Sequence, residues 1–266
     1  MKTQLHKLVR TLHIVLYLTP IFFSSISQAM EIGVGGSLGN FNYVEQFNVD
    51  SENGSLPSWI GDIKFELIPS TNIELYYSTG SFKSTYKGST LNTQIPVIAT
   101  TPMTVIDYSA MVKQNLFGTF SLFAGVGYHY WDRQVGGSPG SPDEQYSWSY
   151  TPFGFEFAFA GEANQEIRMH FEFQPMSSAK MKGTFQGYSP VEVNLGAETN
   201  FLFKMPIRWN PGATFMVETT PWYQYSSIGQ SNTISVSTQI SSTGYLVEPS
   251  STNNQYGLEV LFIYKM

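Results

Sequence analysis

From residue 31 onward apolar residues recur at every second position over stretches of roughly 10 to 17 residues, the period of a β-strand and not of a helix. Ten such stretches can be marked, at 31–47, 58–68, 73–87, 102–117, 119–135, 145–159, 165–185, 190–207, 214–228 and 253–266. Each predicts one strand with a greasy face. In the fifth that face is Phe120, Leu122, Ala124, Val126, Tyr128 and Tyr130, and in the sixth it is Phe153, Phe155, Phe157 and Phe159. The second offers Ile63, Phe65 and Leu67, the fourth Thr104, Ile106, Tyr108, Ala110 and Val112. The eighth supplies Val191, Val193, Leu195, Ala197, Thr199 and Phe201, and the last Leu258, Val260, Phe262, Tyr264 and Met266.

The opposite parity collects the ionisable side chains: Asp62, Lys64 and Glu66; Glu74; Asp107 and Lys113; His129; Glu156; Arg168, His170 and Glu172; Glu192 and Glu198; Glu218; Glu259 and Lys265. Residues 166–173, "EIRMHFEF", show the division at its sharpest, with Ile167, Met169, Phe171 and Phe173 on one side and Arg168, His170 and Glu172 on the other. A soluble β-sandwich would place the apolar side inward and the charges outward. A membrane barrel inverts that.

The connections favour the barrel. "PSTN" at 69–72, "GT" at 118–119, "GEANQ" at 161–165 and "WNPGA" at 209–213 are tight turns of Gly, Pro and Asn. Between them fall 48–57, 88–101, 136–144, the brief "QGYSP" at 186–190 and the long Ser/Thr/Asn-rich 229–252. An even strand number, short turns at one end and longer loops at the other predict an all-β fold: a transmembrane antiparallel β-barrel of about ten strands with periplasmic turns and extracellular loops. Trp59, Trp131, Trp148 and "WYQY" at 222–225 fall toward the long-loop ends and Trp209 toward a short turn, where interfacial aromatics are expected.

Composition agrees. Aromatics are 15% and charged residues only 13%, against about 25% charged in an ordinary soluble domain. The first 29 residues stand apart, with Lys2, Lys7 and Arg10 ahead of "TLHIVLYLTPIFF" and a small-x-small site from Ser27 to Ala29. This order predicts a secretory signal peptide over 1–29 and a single barrel domain over 30–266. Without the three leading basic residues, 11 Lys plus Arg face 20 Asp plus Glu, which argues against nucleic acid as a partner. There is no cysteine, so disulfides, thiol nucleophiles and zinc-thiolate sites are excluded.

At the C-terminus "YGLEVLFIYKM" resembles the terminal strand of Gram-negative outer-membrane β-barrel proteins, through Leu258, Val260, Phe262 and Tyr264; Met266 stands where that family prefers Phe or Trp. "GVGYHYWDRQVGG" followed by "YSWSYTPFGFEF" resembles the paired middle strands of small porin-like barrels. The resemblance implies a place in the outer membrane of a Gram-negative bacterium. Its implied partners are outer-membrane lipid, lipopolysaccharide, and the barrel-insertion machinery that reads the last strand.

Chemistry is sparse. His129 and His170 are the only histidines after the signal segment. His129 falls near Asp132, and omptin proteases, also ten-stranded, work with Asp/Asp and Asp/His pairs at the outer rim. Here no two aspartates stand side by side or one residue apart. Serines are too many for a Ser/His/acid arrangement to be singled out. "SPDEQY" at 141–146 offers only Asp143 and Glu144 for a metal, and "GVGGSLG" at 33–39 lacks the lysine of a phosphate loop. Lys180 and Lys182 share the parity of Arg168 and could meet lipopolysaccharide phosphates at the rim. No cofactor or metal is expected.

The candidate site is therefore a lumen charge network of Glu66, Asp107, Lys113, Glu156, Arg168, His170, Glu172 and Glu198. A ten-stranded barrel is barely wider than one whose side chains fill it. The expectation is a structural barrel or a narrow, weakly cation-preferring pore without enzymatic activity. The alternative is a surface-facing binder, adhesin or barrel hydrolase, omptin-like or lipid-modifying, working through its loops.

Overall fold

The computed structural model describes residues 30–46, 50–89, 95–136, 142–159, 164–185, 188–237 and 243–266. The predicted signal peptide, most of the "GEANQ" turn and the first two residues of "QGYSP" lie outside them. Alternating sequence becomes strand throughout, in the order β1 Met30–Glu45, β2 Ser51–Ile68, β3 Thr71–Ser89, β4 Pro96–Asn115, β5 Phe120–Gln134, β6 Asp143–Tyr150, β7 Phe153–Phe159, β8 Gln165–Thr184, β9 Val191–Asn194, β10 Thr199–Lys204, β11 Ile207–Trp209, β12 Phe215–Ile228, β13 Ile234–Ser237, β14 Thr243–Leu246 and β15 Ser251–Lys265.

These make ten staves. β6 and β7 are one stave interrupted at Thr151–Pro152, and both pair with β5 and β8; β9, β10 and β11 are another, lying along β8. All pairings are antiparallel, and β15 joins β1 on one side and β12 on the other, so the sheet closes with no free edge. Closure gives every stave a hydrogen-bonded neighbour on both sides, the condition for strands to stand in lipid. Among the described residues no helix is long and apolar enough to cross a membrane. The short turns carry their signatures: Ser70 and Asn210 have positive φ, and Gly118 sits at φ 76 with its N–H bonded to Asn115 Oδ1 at 2.7 Å.

The outward face is an apolar belt. Val34, Leu38, Leu75, Val126, Leu122, Leu258 and Phe262 are exposed, with Trp59, Tyr77, Tyr108 and Tyr256 along its upper edge and Phe157, Phe159, Trp209, Phe215 and Tyr264 along its lower one. On β15 the belt runs from Tyr256 to Tyr264, a rise of about 20 Å for a strand tilted about 40°. Beyond the upper edge the outward residues turn polar: Asn40, Asn53, Ser55, Lys83, Thr85 and Gln134 are exposed. β2 and β4 continue past that edge, beginning several residues before their predicted spans, and β3 ends two residues beyond its own.

Parity was legible except where a strand breaks phase. In β8 a register shift opposite Ser147/Ser149, with Ser178 at φ 53, inserts a bulge. Below it Glu172, Gln174 and Met176 point inward; above it Ala179 and Met181 do. The neighbouring stave follows, so Val193 and Leu195 are buried inside and not on the lipid face, while Asn200 is inward below. One extra residue reverses every side chain beyond it. Lys180 and Lys182 therefore do not share the lumen with Arg168; they point outward and pair with Glu192. The tryptophan expectation also needs correction: Trp59 and Trp209 are exposed, but Trp131 and Trp148 are buried within the barrel and Trp222 bonds inward to Ser37.

Candidate functional site

The lumen has two storeys. The lower is ionic, and it grows from the lumen parity of adjacent strands at one level. Lys64 Nζ lies 2.9 Å from Asp62 and 3.3 Å from Glu74; Lys113 Nζ reaches the other oxygen of Glu74 at 3.0 Å and Glu156 at 2.9 Å. Arg168 continues the chain to Glu156 at 3.2 Å and Glu166 at 2.6 Å, and His170 touches Glu172 at 2.9 Å. Across the lumen Arg208 holds Glu218 at 2.7 Å and Glu31 at 3.0 Å, and Lys204 holds Glu259 at 3.2 Å. Each cation faces carboxylates on more than one side or in close pairs, as desolvated charge requires.

Of the eight residues expected in a charge network, Lys113, Glu156, Arg168, His170 and Glu172 meet within it. Asp107 stands one level higher, accepting from Tyr150 Oη at 2.8 Å and contacting His129 Nδ1 at 2.9 Å. Glu66 lies at the short-turn mouth, where it accepts the Ser70 N–H. Glu198 is exposed at the break between β9 and β10, outside the lumen, because the phase reversal carries it out. The partner of His129 is Asp107 and not Asp132, whose parity is outward. Tyr150 reaches Asp107 because Gly127 opposite has no side chain and its space is filled by the Tyr150 ring.

The upper storey is apolar, and it was not expected. Phe41, Tyr43, Leu56, Met103, Trp131, Tyr146, Trp148, Met181, Val193 and Ile228 are all buried in one cluster. Trp131 is stacked on Tyr146 at 4.8 Å and met edge-on by Phe41 and Tyr43 at 5.5 and 5.1 Å. The β13–β14 hairpin of the long loop folds over it, with Ile234 and Leu246 packed against the cluster. The signal in the sequence was the run Tyr146, Trp148, Tyr150, aromatic on the lumen parity at the outer end of a stave.

At the centre of this storey sits Arg133, 3% exposed. Its guanidinium carbon lies over the rings of Tyr43, Trp131 and Tyr146 at 4.8, 5.1 and 5.3 Å. Three carboxylates surround it: Glu144 at 2.6 Å, Glu45 at 3.5 Å and Glu52 at 3.5 Å. A fourth, Glu248 of the long loop, lies 2.5 Å from Tyr146 Oη, and the same hydroxyl accepts from Arg133 Nη2 at 3.0 Å. This group lies beyond the belt, at the level of outward Asn53 and Gln134. Burial pushes the Glu45 carboxyl up to about 7 and, together with neighbouring Glu144, the Glu248 carboxyl up to about 8.

Between the storeys the lumen is nearly filled. Two cavities of about 70 Å³ each adjoin at Tyr76, Asp107, Gln174 and Lys204, room for a few water molecules. Leu56, Val105 and Trp222 bound the upper one, beneath the aromatic cluster. A third, about 220 Å³, lies at the short-turn mouth among Lys64, Lys113, Arg168, Arg208 and Lys265. Among the described residues no group of three or more metal-ligating side chains is assembled.

The outer membrane protease OmpT from Escherichia coli superposes with a TM-score of 0.57 over 91% of this chain and 98% of that one, at 10% identity. The fold is an outer-membrane β-barrel. Lesser superpositions include the translocator domain of the autotransporter NalP from Neisseria meningitidis, TM-score 0.47 at 7% identity over 94% of this chain and 95% of that one, and the attachment invasion locus protein Ail of Yersinia pestis, 0.36 at 8% over 90% and 100%. No family model and no curated protein matches the sequence.

Proposed function

We propose that the chain is a closed, non-conducting barrel of the Gram-negative outer membrane, a rigid membrane body that carries a folded extracellular cap. The observation that carries this reading is the buried aromatic storey around Trp131. An apolar cluster buried across the upper lumen leaves no hydrated path for an ion. A barrel filled in this way is a structural one and not a narrow cation-preferring pore. The lower storey serves the wall: its carboxylates and bases neutralise one another on neighbouring staves. In this reading β15, with Leu258, Val260, Phe262 and Tyr264 outward, is the strand the insertion machinery reads, and the apolar belt meets outer-membrane lipid.

Catalysis is not part of the proposal. OmpT is a protease by name, but here the Asp107–His129 pair lies below the aromatic storey, with His129 stacked on Trp148 at 4.2 Å. An external peptide would have to pass Trp131 to reach it. Reconstituted into planar bilayers at about pH 6, the protein should give no conductance steps. Stable cation-selective steps that change with Glu172→Gln would overturn the reading in favour of a pore, and peptide turnover lost in His129→Ala would overturn it in favour of an enzyme.

A further inference from the structure

The Arg133 cluster ties together segments far apart in sequence. Tyr43 and Glu45 come from the end of β1, Glu52 from the start of β2, Arg133 from the end of β5, Glu144 and Tyr146 from the start of β6, and Glu248 from the long loop. Asp50, from the first outer loop, and Tyr86, from β3, stand at its edge. Glu248 is also the foot of the hairpin: its N–H is bonded to Ser231 Oγ at 2.8 Å and its carbonyl accepts the Ser231 N–H at 2.9 Å.

The charge does not balance. One guanidinium faces four carboxylates, all less than 10% exposed, and neither oxygen of Glu52 finds a well-aligned donor. Tyr146 has one proton, yet its hydroxyl lies within hydrogen-bond distance of Glu248 at 2.5 Å and Glu144 at 3.2 Å while also accepting from Arg133. Both contacts are satisfied if Glu248 carries a proton and donates it to Tyr146, which then donates its own to Glu144. On the other side of the guanidinium the Tyr43 hydroxyl donates to Glu45 at 3.1 Å.

We propose that this cluster is a proton-operated latch on the outer seal: Glu45 and Glu248 hold protons while the β13–β14 hairpin is docked, and losing them frees the hairpin from the aromatic storey. With both protons gone, two further negative charges are confined beside one Arg133 in a buried site, and the element able to leave is the loop carrying Glu248. The other three carboxylates sit on wall strands held by continuous ladders. The direction is therefore fixed: the cap is tight in acid and loosens in mild alkali. Burial places the two carboxyls at about 7 and about 8, which sets the range over which this occurs.

The inference rests on the sealed-barrel reading, and one set of experiments separates the two. In lipid nanodiscs at pH 6 and pH 9, amide exchange of 234–237 and 243–246, corrected for intrinsic pH dependence, should lose about tenfold in protection at the higher pH. Bilayer recordings should be silent at pH 6 and show intermittent openings at pH 9. The double variant Glu45→Gln, Glu248→Gln copies the protonated shape and should stay protected and silent at both. Equal protection at the two pH values, or a double variant that opens like the parent, would overturn the latch and leave the seal standing. Conductance at pH 6 would overturn the seal itself.

Discussion

The two storeys of this lumen solve the same problem, filling a ten-stave barrel, with opposite chemistry. Below, charges at one level of neighbouring staves pair laterally through Lys64, Lys113 and Arg168. Cavities of about 70 Å³ beside them leave room for water. Above, rings interlock around one cation, and a loop hairpin completes the core. A wet ionic lining tolerates the loss of a member because water can replace it. A dry seal does not, since an abandoned charge or void there has no substitute partner.

The contrast predicts a ranking of substitutions, measured by urea unfolding in detergent and by heat-modifiable gel migration. Arg133→Met should be the most damaging, costing about 4 kcal/mol, because it strands several buried carboxylates. Trp131→Ala should cost about 3 kcal/mol through the void it leaves, and it should also make the bilayer leak. In the lower storey Glu156→Gln removes a partner of both Lys113 and Arg168, yet the adjoining cavity has room for water to replace it, which limits the loss to about 2 kcal/mol. If Glu156→Gln proved more harmful than Arg133→Met, the division into a forgiving and an unforgiving storey would be wrong.

Acidity sharpens the comparison further. Glu45 and Glu248 are neutral when folded up to about pH 7 and pH 8, whereas the unfolded chain gives up these protons near the ordinary carboxylate value. Between those limits the folded state binds more protons, so stability falls as pH rises from about 5 to about 8. Glu248→Gln should flatten that slope when the urea midpoint is followed against pH. At the bottom of the ranking, Lys180→Ala should leave the midpoint unchanged, since its pair with Glu192 is exposed to solvent.

Much of the wall could be read from alternation. β5 and β15 keep one phase from end to end, and their lipid faces were legible residue by residue. β8 was not, because a period of two carries no memory across a bulge, and nothing in "MSSAK" marks Ser177–Ser178 as the point of reversal. That reversal misplaced Val193, Leu195, Lys180, Lys182 and Glu198 together. Pairings between strands were equally hidden: Asp107 meets His129 across a register set by the turn at Gly118, which no local pattern specifies. The seal was visible only in part, as aromatic residues on a parity otherwise reserved for charge, and the hairpin that covers it lies in sequence with no strong period.

The natural chain has no cysteine, so a single introduced thiol reports access without interference. Ser78 lines the upper cavity, beneath the aromatic storey, whereas Ser55 faces outward above the belt. On intact cells at about pH 6, a membrane-impermeant maleimide should label Ser55→Cys and leave Ser78→Cys untouched, with labelling of Ser78→Cys restored when Trp131→Ala is added. Labelling of Ser78→Cys from outside in the otherwise unaltered barrel, at a rate near that of Ser55→Cys, would contradict a sealed lumen.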